Sequence, residues 1–290
     1  MITADTTGLT ADSTHLRACG WTDGFADRSA PACIAFENVA DSATLLSSSA
    51  AALTPVSRLQ NEHVQRKWRG TAGDTEYLIA DLGTAQDIDT VALMGLNLTR
   101  KAITRVRFSS ADPSGAAGDL YDSGFSGSEV DEAYGMLVGL APASVSARYV
   151  RIDLMETGRA YIEAGRLFVG KRYQFATNFA FGASRAWVDP SRRTIGRGGQ
   201  TFIDRARMYR TVEVTFEALR ASERIDFVER LDWLNGAHVD VLFVGNPLSL
   251  NPGRDSIWGL IDQVSPVLQP VGWLDGQPLY SKAYKISERL

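Results

Sequence analysis

The sequence predicts a mainly β protein: a β-sandwich followed by a small α+β domain with one main helix. Three observations carry that expectation. The runs 76–83, 88–99, 147–154 and 161–170 are short, rich in β-branched and aromatic residues, and bounded by Gly, Asp or Asn, as strands of an antiparallel sheet are. Met208 to Phe216 alternates, with Tyr209, Thr211, Glu213 and Thr215 on one face and Val212, Val214 and Phe216 on the other, which is a strand with one buried face. Ile225, Val228, Leu231 and Leu234 then recur at helical spacing behind Ser222 as N-cap, and Asn235-Gly236 ends the run.

Taken in order, residues 1–35 read as an irregular arm in which only Cys33 to Phe36 has strand character. A segment of this composition buries too little apolar surface to order itself alone. Residues 36–170 hold the sandwich, with Leu45, Leu46, Leu53, Val56 and Leu59 anchoring the stretch before its first long strand. Residues 171–200 read as an extended, basic connecting arm, and 201–290 as a small α+β assembly domain. In that last segment Val239 to Val244, Ser256 to Val264 and Tyr280 to Ile286 read as strands.

The order of the sandwich runs resembles the discoidin-like domain, the factor V/VIII type C or galactose-binding-like jelly roll. The residues that carry the likeness are Asp81-Leu-Gly83, Asn97, Arg148 to Ile152 and Ile162 to Leu167, with Ala43 to Ser49, Pro55 to Asn61 and Lys67-Trp-Arg69 upstream. The resemblance implies a sandwich whose ligands sit at the loops of one end. The second half resembles the C-terminal region of tail proteins of long-tailed bacteriophages, through Arg185 to Pro190, Gly199, Arg210, Glu213 to Phe216, Leu234-Asn-Gly236, Val241 to Pro247 and Trp258-Gly259. It implies a distal tail-like structural protein of a tail tip or baseplate. Such a protein is made in the host cytoplasm, resides in the virion, and assembles with copies of itself and with tail-tube and hub proteins.

Composition narrows the function classes. The chain has 290 residues, 44% of them hydrophobic, enough for two modest domains, and a net charge of -4 with interspersed signs. No basic surface for nucleic acid or anionic membranes is expected. The N-terminus lacks the basic and apolar segments of a secretory signal, and no apolar run approaches the roughly 20 residues of a membrane span. A soluble chain with no membrane insertion is therefore expected. Cys19 and Cys33 fit neither a redox nor a zinc spacing, and two reduced thiols are the favoured reading over a disulfide.

No enzyme is expected. The chain has no Gly-x-Ser-x-Gly elbow, and Asp226, Glu229 and Asp232 fall on the polar face of the helix. No cofactor is expected either. A structural calcium ion on Glu129, Asp131 and Glu132 is the alternative to a solvated acidic loop, without the Asp-x-Asp-x-Asp-Gly spacing that marks calcium loops. The Gly196 to Gln200 stretch matches no phosphate-binding loop.

Two functional readings remain. As an assembly subunit, the chain offers Phe175, Phe179, Phe181, Trp187, Arg192, Arg193 and Arg197 as contacts between copies, because aromatic and Arg side chains dominate interface energetics. As a carbohydrate-binding protein attached to a bacterial surface polysaccharide, it offers Asn97, Tyr121, Tyr134, Arg159 and Tyr161 at the sandwich loops. Trp68 is tempting as a sugar platform, but its place in the discoidin-like pattern implies a core indole.

Overall fold

The computed structural model describes residues 3–5, 8–10, 30–127, 130–249, 251–274 and 276–290. Two β-rich units are visible in it, and the first is the expected sandwich. Its two longest strands, Thr75–Met94 and Met136–Met155, pair antiparallel from Thr75 opposite Met155 to Met94 opposite Met136. Register shifts between Leu140 and Val145 and between Ala147 and Tyr149 interrupt this ladder, and residues 83–85 and 142–144 beside them are exposed. Bulges of this kind sharpen local twist and let a strand turn the corner between layers. On one side of that interruption lie Thr44–Ser47 and Ile103–Ser109; on the other lies Arg166–Gly170.

The sandwich core forms where the apolar side chains of these strands meet. Leu78, Val91, Leu93, Val106, Phe108, Val150, Ile152 and Leu167 are all buried there, with Leu59 and Trp68 plugged in from the preceding stretch. Trp68 is wholly buried and its indole N–H donates to the Ser49 carbonyl at 3.0 Å. The indole is therefore core, as the discoidin-like pattern implies.

The second unit is an eight-stranded antiparallel sheet with one main helix and a short one at Pro252–Asp255. Its path runs Arg172–Gln174, Cys33–Ala35, Val241–Val244, Ser256–Ile261, Gln277–Glu288, Tyr209–Leu219, Ser184–Val188, and Leu268–Leu274 pairs with Gln277–Glu288 off this path. This path draws parts of the two expected arms into the sheet. Cys33–Ala35 sits between Arg172–Gln174 and Val241–Val244 in the sheet, so the chain starts the second unit before it makes the sandwich. Arg172–Gln174 and Ser184–Val188 are likewise sheet strands rather than a free connector. The physical reason is burial: Cys33, Ile34 and Ala35 are at most 1% exposed, and a single strand gains that only by insertion into a sheet. A third cluster, including Ala35, Met94, Met136, Phe168, Leu242 and Trp258, packs the two units together.

The helix also departs from the expected spacing. It runs through Ala221–Glu223, Arg224–Val228 and Glu229–Leu234, and its middle turn is a π-helix in which Glu229 N–H donates to the Arg224 carbonyl. The start is capped not by Ser222 but at Arg220, whose N–H donates to Glu223 Oε2 at 2.8 Å. A π-turn holds one extra residue, so the buried face becomes Phe227, Val228 and Leu231, while Ile225 is 54% exposed. Asp232 does not merely face solvent. It accepts from Lys282 Nζ at 2.5 Å, and Lys282 is 1% exposed.

Candidate functional site

The five nominated sugar contacts do not converge. Asn97 and Tyr161 do share one end of the sandwich, but the Asn97 amide is spent there. The Asn97 amide donates to the Tyr161 carbonyl at 3.0 Å and accepts from Glu163 N–H at 3.0 Å. The Arg69 guanidinium covers the Tyr161 ring at 3.9 Å, and Glu163 holds both Lys67 and Arg69. Arg159 is bonded to Glu156, which also accepts from the Thr99 N–H and hydroxyl. Tyr121 packs 5.0 Å from Phe108 against the sandwich core. Tyr134 lies elsewhere, against the second unit.

Around Tyr134 the two units build a cleft. The residue sits in a tight reversal: Asp131 Oδ1 accepts from the Ala133 and Tyr134 N–H groups, and Gly135 follows at φ +60°. A Cβ at Gly135 would meet the Leu96 carbonyl at 2.6 Å, so the turn needs glycine on both counts. Across the junction, Trp187 and Arg210 are opposite partners in the pairing of Ser184–Val188 with Tyr209–Leu219. Opposite residues of an antiparallel pair share a face. Here both meet Tyr134: the Arg210 guanidinium lies 3.6 Å from its ring centroid, and the Trp187 ring lies 5.9 Å away. Glu288 fixes Arg210 at 2.6 Å.

The cleft has a cavity of about 90 Å³ on one side of this pair and one of about 200 Å³ on the other. The larger is bordered by exposed Gln65, Glu132 and Arg207. Trp187 keeps 54% of its surface open. Trp258 also lines the larger cavity, 2% exposed, and its indole N–H has no hydrogen-bond partner among the described residues. A buried donor without a partner carries a desolvation cost. An open indole, a tyrosine edge and planar polar groups at the rim are the equipment of a sugar subsite. Of these residues, the sequence suggests Tyr134 as a sugar contact and Trp187 as an assembly contact. Gln65, Glu132, Arg207 and Trp258 were missed in that role, because the cleft draws on chain segments more than 200 residues apart.

The nominated assembly residues also divide. Phe175 is 1% exposed and stacks on Phe216 at 3.7 Å, so it is core and no intersubunit contact. Phe179 packs beside it against Phe216 and Phe243. Phe181 is fully exposed, and Arg192, Arg193 and Arg197 all face solvent.

The acidic trio is described only in part. Glu129 lies outside the described residues, and Asp131 spends its carboxylate on the Tyr134 turn and on the Asn251 amide at 3.2 Å. Among the described residues, no group of three His, Cys, Asp or Glu side chains is placed to hold a metal ion. No helix among them is long and apolar enough to cross a membrane. Cys33 is a free, buried thiol, and Cys19 lies outside the described residues.

No protein-family profile matches the chain, and no curated protein matches it. Among solved structures, the chain is similar to the lectin domain of lectinolysin complexed with Lewis b antigen, at 17% identity over 47% of this chain and 96% of that one, TM-score 0.37. It is also similar to the family 32 carbohydrate-binding module of C. perfringens NanJ in complex with galactose, at 12% identity over 47% and 98%, TM-score 0.38. A third is the chitosan-binding module 1 of a Paenibacillus sp. IK-5 chitosanase/glucanase, at 20% identity over 46% and 98%, TM-score 0.34.

Proposed function

We propose that this chain is a non-catalytic carbohydrate-binding protein that attaches to a bacterial surface polysaccharide, with the sugar held in the cleft between sandwich and second unit. The observation that carries this is Trp187, 54% exposed beside Tyr134 at the mouth of a cavity of about 200 Å³. Stacking on an aromatic face supplies affinity for a sugar ring, and the rim residues Gln65, Glu132 and Arg207 supply directional hydrogen bonds. A volume of about 200 Å³ is below the roughly 300–1,000 Å³ of pockets that enclose a drug-sized ligand. It suits one sugar residue of a longer chain lying across the opening.

A panel of bacterial surface polysaccharides tests the reading, with Trp187→Ala and Tyr161→Ala compared in the full chain. Binding lost in the first and kept in the second supports it. Binding that follows Tyr161 moves the site to the far end of the sandwich, and a protein that binds none of the panel sinks the proposal.

A second reading is favoured by a separate observation. Arg192–Ile195 and Thr201–Asp204 form a hairpin that pairs only with itself, and all of its strand residues are exposed. An uncovered two-stranded ribbon is marginal in water, and one that carries Ile195, Phe202 and Ile203 suits contact with another protein. This supports a homo-oligomeric structural subunit of a phage tail tip or baseplate, contacting tail-tube and hub proteins in the virion. The two readings are compatible in one adsorption protein.

A further inference from the structure

We propose that the hairpin Arg192–Ile195/Thr201–Asp204 of one copy docks into the groove beside strand Tyr209–Leu219 of a second copy. This deepens the self-assembly reading and rests on it. The register sorts the hairpin into two faces, because Arg193 stands opposite Ile203 and Ile195 opposite Thr201. Arg193, Ile195 and Ile203 therefore share one face, and the two isoleucines are 73% and 54% exposed. The segment is also basic for this chain: residues 189–208 hold five arginines and two aspartates in a protein of net charge -4.

The complementary surface lies on the same sheet. A groove of about 730 Å³ runs between residues 180–183, strand Tyr209–Leu219, the 262–266 turn and strand Gln277–Glu288. Phe181, Val214 and Pro266 give it apolar walls, and Glu213, Glu217 and Asp262 give it charge. Its one cation, Lys285, is bonded to Glu213 at 2.8 Å. An apolar, acidic groove thus matches an apolar, basic ribbon in both respects.

The pairing register argues for a second copy as the occupant. The hairpin leaves the sheet where Val188 faces Tyr209, whereas the groove begins where Ser184 faces Glu213. Donor and acceptor therefore sit at opposite ends of one edge, so each copy gives a hairpin to one neighbour and receives one from another. Such a heterologous contact closes into a ring or grows as a filament.

Light scattering of the full chain over a concentration series tests this with two variants. One carries Arg193→Glu with Ile203→Ser, the other Glu217→Arg with Asp262→Arg; all four positions are exposed, and circular dichroism confirms folding. The wild type is expected to gain mass with concentration, and each variant to stay monomeric, at least tenfold weaker in self-association. Mixing the variants restores one intact hairpin–groove pair and yields a heterodimer that grows no further. Association that survives in both variants overturns this surface while leaving self-assembly standing. A wild type that stays monomeric throughout overturns both.

Discussion

The Arg210 guanidinium lies over the Tyr134 ring, 3.6 Å from its centroid, joining the second unit to the sandwich. Glu288 holds the same guanidinium at 2.6 Å, and both members of that ion pair are nearly buried, at 11% and 12%. One side chain thus fixes the geometry of the cleft and the contact between units.

Arg210→Ala is expected to destabilise the protein by about 2–4 kcal/mol, from the lost cation–π contact and the carboxylate left without its partner. Urea unfolding measures it. A loss under about 0.5 kcal/mol would show that the ring contact does not clamp the units.

Lys282, whose side chain is wholly buried, pairs with Asp232 and also donates to the Ser265 carbonyl. Asp232→Ala leaves a buried cation and is expected to cost about 3–5 kcal/mol, whereas Lys282→Met removes the charge that needs compensation and costs far less. Equal losses in the two variants would contradict this account.

Burial pushes the Cys33 thiol up to about 12 from an ordinary 9.0, with Arg172 opposing the shift. The folded state therefore favours the neutral thiol. Its contribution is complete below pH 9 and is lost as pH rises toward 12, by up to about 1.4 kcal/mol per pH unit. In a Cys19→Ala background the remaining thiol should react with a thiol reagent only as fast as the protein opens. Cys33→Ala should flatten the alkaline part of the stability curve.

Trp68→Phe removes the hydrogen bond to Ser49 and is expected to cost about 1–2 kcal/mol. Because the indole is buried in the sandwich core, polysaccharide affinity should not change. A loss of affinity at unchanged stability would place the sugar against Trp68 after all.

Much of the fold is legible in the sequence where burial is one-sided. Val212, Val214 and Phe216 alternate and are 1–3% exposed, as their period requires. Tyr209–Leu219 is the strand that alternation predicts. The helix shows the limit of such reasoning, since an i, i+3 pattern at Ile225 to Leu234 assumes 3.6 residues per turn and the π-turn breaks that assumption. Cys33–Ala35 is too short to declare its partners, and its pairing with residues 172–174 and 242–244 is decided by tertiary burial. The aromatic residues after Gly170 read alike in sequence, yet Phe175 is core and Phe181 fully exposed. Tyr134 was legible as a loop aromatic, but the cleft around it was not, because Trp187, Arg210, Trp258 and Glu288 are brought to it only by the eight-stranded sheet.

The most direct test of the cleft is a ¹H–¹⁵N titration of the indole N–H signals with oligosaccharides cut from a bacterial surface polysaccharide that the chain binds. The six tryptophans are assigned by single Trp→Phe substitution. The account predicts saturable shifts at Trp187, while Trp68 stays in place. Saturable binding that leaves Trp187 unmoved would contradict it.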